Sequence, residues 1–326
     1  MCHISARSPV PYISTVSTRG GHSRLRVAVR GKGDYQVRAR LALGFLATIA
    51  AACLVAWGLA PSAKPSPPSA QKRIIQRPSS GRSHASQPTI VQGWQLTFSP
   101  GFSGTAVNTA LWATCYPWMD TTAGCTNFSN LQRGVEHEWY LPSQVRVRSH
   151  TLILIARQIP TTGQSPGGAP RQYSCRSGMV TTYPGYHFEY GYIQVVARIP
   201  LNVGLWPALW LAAASLHWPP EVDILEHWGN NPERTWLFFH PVGAPQQHHH
   251  LNITNLGTEW HTFSLNWTPT TLTWYVDGHM VYTTHKDIPH QSMYFIADLA
   301  ESRPARPGWG CNGVLSIKSI RVWQHS

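Results

Sequence analysis

Acidic residues are scarce in this chain. Of 326 residues only 14 are Asp or Glu, against 26 Lys and Arg. The formal net charge of +12 invites a nucleic-acid reading, but the charge is in the wrong place for one. Residues 1–90 hold 13 of the basic residues and a single acid, Asp34, so the whole excess lies there. The remainder, 91–326, sums to zero. A protein that grips phosphates needs its positive surface on the folded part, so DNA and RNA are excluded as partners. Helical periodicity is also lacking after residue 90, which leaves a β architecture. No CxxC pair occurs, so nothing supports a metal site of the usual thiolate spacing.

What is present divides the chain into four parts. Residues 1–40 form a basic N-terminal segment, expected to stay on the cytoplasmic side. Residues 41–60, LALGFLATIAAACLVAWGLA, are an uncharged run behind Arg38 and Arg40. This run is either a cleaved signal or an anchor that stays in the membrane. Both readings export the rest to the cell surface or beyond. Residues 61–91 are rich in Pro, Ser and basic residues and read as an extended linker. Residues 92–326 then form one folded domain, expected to be a monomer. It contains Cys115, Cys125, Cys175 and Cys311. Export permits disulfides; Cys115 with Cys125 is the natural local pair, leaving Cys175 with Cys311, among three connectivities.

Apolar and polar residues alternate through much of this domain. VRVRSHTLILIAR (145–157) reads as two strands around a tight turn. YGYIQVVARIP (190–200) and VLSIKSIRVW (314–323) are further strands. In LTWYVDGHMVYT (272–283), Asp277-Gly278 between two β-rich runs is a two-residue hairpin signal. Many short strands with Gly and Pro between them predict a sandwich or barrel. The domain also holds 14 of the chain's 15 tryptophans. Packing accounts for some of them. The excess points to carbohydrate, whose C–H faces stack on indole.

Against the scarcity of acids stands PPEVDILEHWG (219–229), with Glu221, Asp223 and Glu226 inside six positions. The nearest Lys or Arg in sequence are Arg198 and Arg234, so ion pairing does not explain the cluster. Side chains alternate faces along a strand. Glu221 and Asp223 therefore share a face, and Glu226 joins them only if a β-bulge inserts one residue between 223 and 226. Val222 and Ile224 then face the core. Two carboxylates converging across a sugar, one ionised and one protonated, are the machinery of glycoside hydrolysis. A third acid between them raises the donor's pKa electrostatically.

EVDILE resembles the E-x-D-x-x-E signature of glycoside hydrolase family 16 in its bulged, laminarinase-like form. The resemblance runs through YSCRSGMVTT (173–182), FEYGYIQVVARIP (188–200), GLWPALWL (204–211), WHTFSLNWTPTTLTWYVDG (260–278) and SIRVWQ (319–324). It implies an all-β, concanavalin-like jelly-roll sandwich with a concave cleft, and a retaining endo-glycosidase. By the same resemblance Glu221 is the nucleophile, Asp223 the assisting acid and Glu226 the acid/base. Trp206 and Trp210 are expected on the cleft floor. Trp228 and His240 are expected to face sugar, and Glu138, with Tyr140, to lie near a substrate-contacting region. The substrate implied is a polysaccharide, foremost a β-1,3-glucan. Galactan hydrolases, a transglycosylase and a non-catalytic glucan-binding module are the rival readings.

Many members of that family hold a structural calcium on their first and last strands. Here the opening strand is read at FSPGF (98–102), and Ser319 stands where an Asp is common. Hard cations need oxygen ligands, usually carboxylates, so the sequence predicts no cofactor. His248-His249-His250 (248–250) invites a metal reading as well. Neighbouring histidines on a strand alternate faces, and a polar loop at the cleft rim is expected instead.

Overall fold

The computed structural model describes residues 93–326 apart from 120–123, 129–135, 166, 230, 232–233 and 303–309. The basic segment, apolar run and linker read from the sequence lie outside the described residues. Among the described residues no helix is long and apolar enough to cross a membrane.

In chain order the strands are β1 (Trp94–Phe98), β2 (Glu138–Tyr140), β3 (Val145–Arg148), β4 (Thr151–Ala156), β5 (Thr161–Gln164) and β6 (Pro170–Tyr173). Then come β7 (Cys175–Ser177), β8 (Met179–Thr181), β9 (Gly191–Arg198), β10 (Leu205–Ala213), β11 (Glu221–His227) and β12 (Arg234–His240). The series ends with β13 (Gln247–Asn252), β14 (His261–Trp267), β15 (Leu272–Val276), β16 (His279–Thr284), β17 (Met293–Glu301) and β18 (Gly313–His325). An eight-stranded sheet runs β16-β15-β14-β9-β18-β4-β3, with β1 paired to β18. A six-stranded sheet runs β13-β12-β11-β10-β17-β8. Neighbours in both sheets are antiparallel. The sandwich expected from the sequence is therefore present.

The turns are set by local chemistry. Asp277 and Gly278 both take positive φ, 50° and 80°, as a two-residue turn that follows the strand twist requires. Ser149 and His150 do the same between β3 and β4, at 50° and 56°. Alternation then buries one face of each sheet. Val222, Leu225, Leu237 and Phe239 of the six-stranded sheet meet Ile193, Val195, Phe263 and Leu265 of the other in one core. Each large side chain removed from water there contributes roughly 1.5–3 kcal/mol. On the opposite face of the six-stranded sheet, Trp210, Tyr294 and Ile296 pack with Tyr116 and Met179 in a second cluster. This layer floors the site described below.

Cys115 bonds Cys125 and Cys175 bonds Cys311, which resolves the three connectivities. One strand expectation needs correction. The first strand is Trp94–Phe98, not FSPGF; Pro100, just after it, has no N–H to give a ladder. The stretch YSCRSGMVTT holds two strands, β7 and β8. It breaks at Gly178, whose added Cβ would stand 2.7 Å from the Gln144 carbonyl oxygen, and the halves join different sheets.

Candidate active site

β11 carries the bulge that its acid spacing demands. Asp223 is opposite Phe238 and Glu226 opposite Trp236, so three steps on β11 match two on β12. On the other side Asp223 pairs with Trp210 and Leu225 with Leu209. Ile224 and Leu225 together oppose one residue, and both are buried in the core. Glu221, Asp223 and Glu226 consequently emerge on the face away from the other sheet. A bulge leaves backbone groups out of the ladder, and Trp274 of β15 reaches through the core to donate its indole N–H to the Asp223 carbonyl at 2.9 Å. Nothing in the spacing of LTWYV announces that role.

The three acids line a cavity of about 510 Å³. Its wall also includes Trp206, Trp210, Trp228 and His240, so four of the six other residues singled out from the sequence are brought together here. Trp206 donates Nε1–H to Glu226 Oε1 at 3.1 Å, and its ring meets Trp228 edge-on at 5.8 Å. His240 Nε2 lies 3.3 Å from Glu221 Oε1 and 3.8 Å from Asp223 Oδ2.

Glu138 is one exception. It is fully buried, and its Oε2 accepts the Glu301 backbone N–H at 2.6 Å. Tyr140 is buried as well. The cavity wall at this strand end comes from Glu136, two residues earlier. β2 has only three residues, all buried, so it offers no alternation by which a sequence reading could tell wall from interior. The histidine run also needs correction. It is not a loop but the body of β13, the edge strand next to β12.

Three contributors went unread in the sequence. Trp218, which is exposed, donates Nε1–H to Glu221 Oε2 at 3.1 Å. Asp298 of β17 lies in the cavity wall across from Ala208. It accepts the Trp210 indole N–H at 2.8 Å and the Tyr116 hydroxyl at 3.4 Å. The available signal was a lone acid in an otherwise apolar run, FIADLA. The third is Glu136.

Burial acts on the acids of this wall. Burial, then the charges of Glu221 and Asp298, hold Glu226 well above the ordinary carboxylate range, against the opposing hydrogen bond from Trp206. Burial and the charges of Glu221, Glu226 and Asp298 raise Asp223 as well. Asp298 is pushed up to about 7, chiefly by burial. Glu226 is thus biased towards its protonated form, which a donor to a leaving oxygen needs. Glu221 accepts the Trp218 indole N–H and has His240 Nε2 3.3 Å away. Neither β1 nor β18 carries an Asp or Glu, so the calcium position of the resembled family lacks carboxylates here.

Comparison with known proteins bears on the family and the fold. Residues 137–302 match the family described as Glycosyl hydrolases family 16. The chain is 29% identical over 194 residues to the Endo-1,3-1,4-beta-glycanase ExsH of Rhizobium meliloti (strain 1021), covering 56% of this chain and 40% of that protein. It is 29% identical over 163 residues to the Beta-glucanase of Rhodothermus marinus, covering 45% and 54%. The chain thus spans about half the length of such relatives. Among solved structures, the catalytic domain of an endo-1,3-beta-glucanase (laminarinase) from Thermotoga petrophila RKU-1 aligns with a TM-score of 0.59 at 22% identity. That alignment covers 72% of this chain and all of that one, and it establishes the fold.

Proposed function

Taking as premise that the chain belongs to glycosyl hydrolase family 16, we propose that it is a retaining endo-glycosidase cleaving β-1,3-glucan. The observation that carries the reading is the line of three carboxylates on the bulged strand, with the last raised by burial and the first in contact with Trp218 and His240. Glu221 attacks the anomeric carbon and forms a glycosyl-enzyme while Glu226 protonates the departing oxygen. Glu226, now ionised, then takes a proton from water, which displaces Glu221 and restores both groups with retained configuration. Asp223 lies between them, its own carboxyl raised by burial and by the charges of both neighbours. Trp206 fixes the donor's orientation. Trp228 and Phe238 in the wall offer ring faces to sugar.

No cofactor enters this scheme. The two disulfides suit an exported protein, and we place the domain outside the cytoplasm on that ground and on the apolar run at 41–60. The substrate assignment draws on the relatives named for 1,3- and 1,4-linked β-glucans.

The test is reducing-sugar release by the whole chain from laminarin, mixed-linkage β-glucan, agarose and carrageenan, with Glu221→Gln as control. Release from laminarin that the control lacks, with retained anomeric configuration by proton NMR, is the expected result. Release from a galactan alone would replace the substrate. Binding without release from any polymer would replace the activity by a glucan-binding role.

A further inference from the structure

The outer flank of the site, on β12 and β13, carries a feature that chemistry at Glu221 and Glu226 does not use. Arg234, Trp236, Phe238 and His240 alternate along β12 onto the face that bears the acids. The register sets His248 beside Phe238 and His250 beside Trp236. A tract of rings therefore leads from the acids to the sheet edge. Phe238 lies 6.2 Å from His240 and 5.6 Å from Trp236. His248 and His250 lie 5.8 Å and 5.0 Å from Trp236. The Arg234 guanidinium stands 5.9 Å from the Trp236 ring centre. Arg234, His248 and His250 are exposed.

Among the described residues the charge on this flank has one sign. β12 and β13 carry no Asp or Glu; the nearest acid in the sheet is Glu226, opposite Trp236. Glu233 precedes β12 outside the described residues. His249 faces the other way and stacks on Tyr282 at 5.1 Å. Lys286 meets the strand only through its backbone, where its carbonyl accepts from Gln247. No strand follows β13 in its sheet. Cations on an edge strand discourage pairing with other chains, but that purpose does not require them to continue a ring tract out of a cleft.

We propose that this flank is an outer sugar subsite that selects a glycan unit carrying a carboxylate, either a uronic acid or an acidic acyl substituent. The sugar face stacks on Trp236, and its carboxylate meets the imidazoles and Arg234. At the centre of the cleft the acid cluster offers such a unit no cationic partner, so it is accepted at this end. The inference rests on the glycosidase reading for the course of the chain through the cleft.

The test is calorimetric binding by the full-length Glu221→Gln variant, which reads affinity without turnover. The ligands are laminarin and laminarin partly oxidised at C6 to glucuronate, both at pH 5.5. The oxidised polymer is expected to bind about five- to tenfold tighter, the sum of two or three exposed charge contacts. The ratio is expected to approach one when His248→Asn, His250→Asn and Arg234→Gln are added. Equal binding of the two polymers, a preference that survives the three substitutions, or binding of neither polymer would each overturn it. If the unaltered protein hydrolyses nothing while the preference holds, the activity falls and the subsite stands.

Discussion

Replacing Glu138 by Gln tests what the interior of this domain does with charge. Burial lifts the Glu138 carboxyl from an ordinary 4.5 to about 7. At about 1.4 kcal/mol per tenfold change in proton affinity, that rise sets about 3 kcal/mol against the folded state once the group is ionised. The sign follows from linkage. The folded protein holds this proton more tightly than the unfolded chain, so stability is undiminished below about pH 4.5 and declines as pH rises towards 7. Gln keeps the acceptor for the Glu301 N–H but accepts more weakly, a loss of about 1 kcal/mol. The net expectation at pH 8 is a gain of about 1–2 kcal/mol, or roughly 2–8 °C in Tm for a domain of this size. At pH 4 no gain is expected. Thermal melts followed by circular dichroism at both pH values decide it, with laminarin turnover measured alongside. A variant less stable at pH 8 than the parent would refute the burial argument. Unchanged melts with lost turnover would return Glu138 to the substrate-contacting role read from the sequence.

Other expectations concern the chemistry and the frame. Glu226→Ala should lose more than about a thousandfold in kcat on a poor leaving group, and azide should restore turnover as a glycosyl azide, seen by mass spectrometry. Asp298→Asn removes a charge that raises Glu226, so the alkaline limb of the kcat/KM profile should move to lower pH. Trp206→Phe deletes the hydrogen bond that lowers Glu226, and the same limb should move to higher pH. Shifts in the same direction would contradict the assignment of Glu226 as donor. Replacing Cys175 and Cys311 by Ala opens a crosslink between residues 136 apart. That should cost about 2–5 kcal/mol, read as a lower urea midpoint without loss of activity at low temperature.

Much of this was legible because the signals were local. The Asp277-Gly278 turn and the alternating strands around it need no tertiary information. The bulge was deducible because three acids separated by two and three residues fit one face in no simpler way. What escaped depended on partners distant in sequence. Asp298 sits in MYFIADLAE, a strand buried along its whole length, and only the fold shows that one side of it faces Trp210 and Tyr116. Glu136 and Glu138 have the right spacing to share a face, yet a three-residue strand paired in parallel with β7 does not say which one reaches the cavity. QHHHLN lacks β-branched residues and reads as a loop. It becomes a strand because β12 offers it a full ladder of partners.

The bulge at Ile224-Leu225 also bears on how such chains vary in length. Removing one of those two residues would leave acids at alternate positions of a regular strand, all still on one side. The line of carboxylates thus survives a single-residue deletion that in an ordinary strand would turn every later side chain over. A gap placed there in an alignment therefore keeps the three acids on one face, whereas one between Glu221 and Asp223 would turn Glu221 to the other.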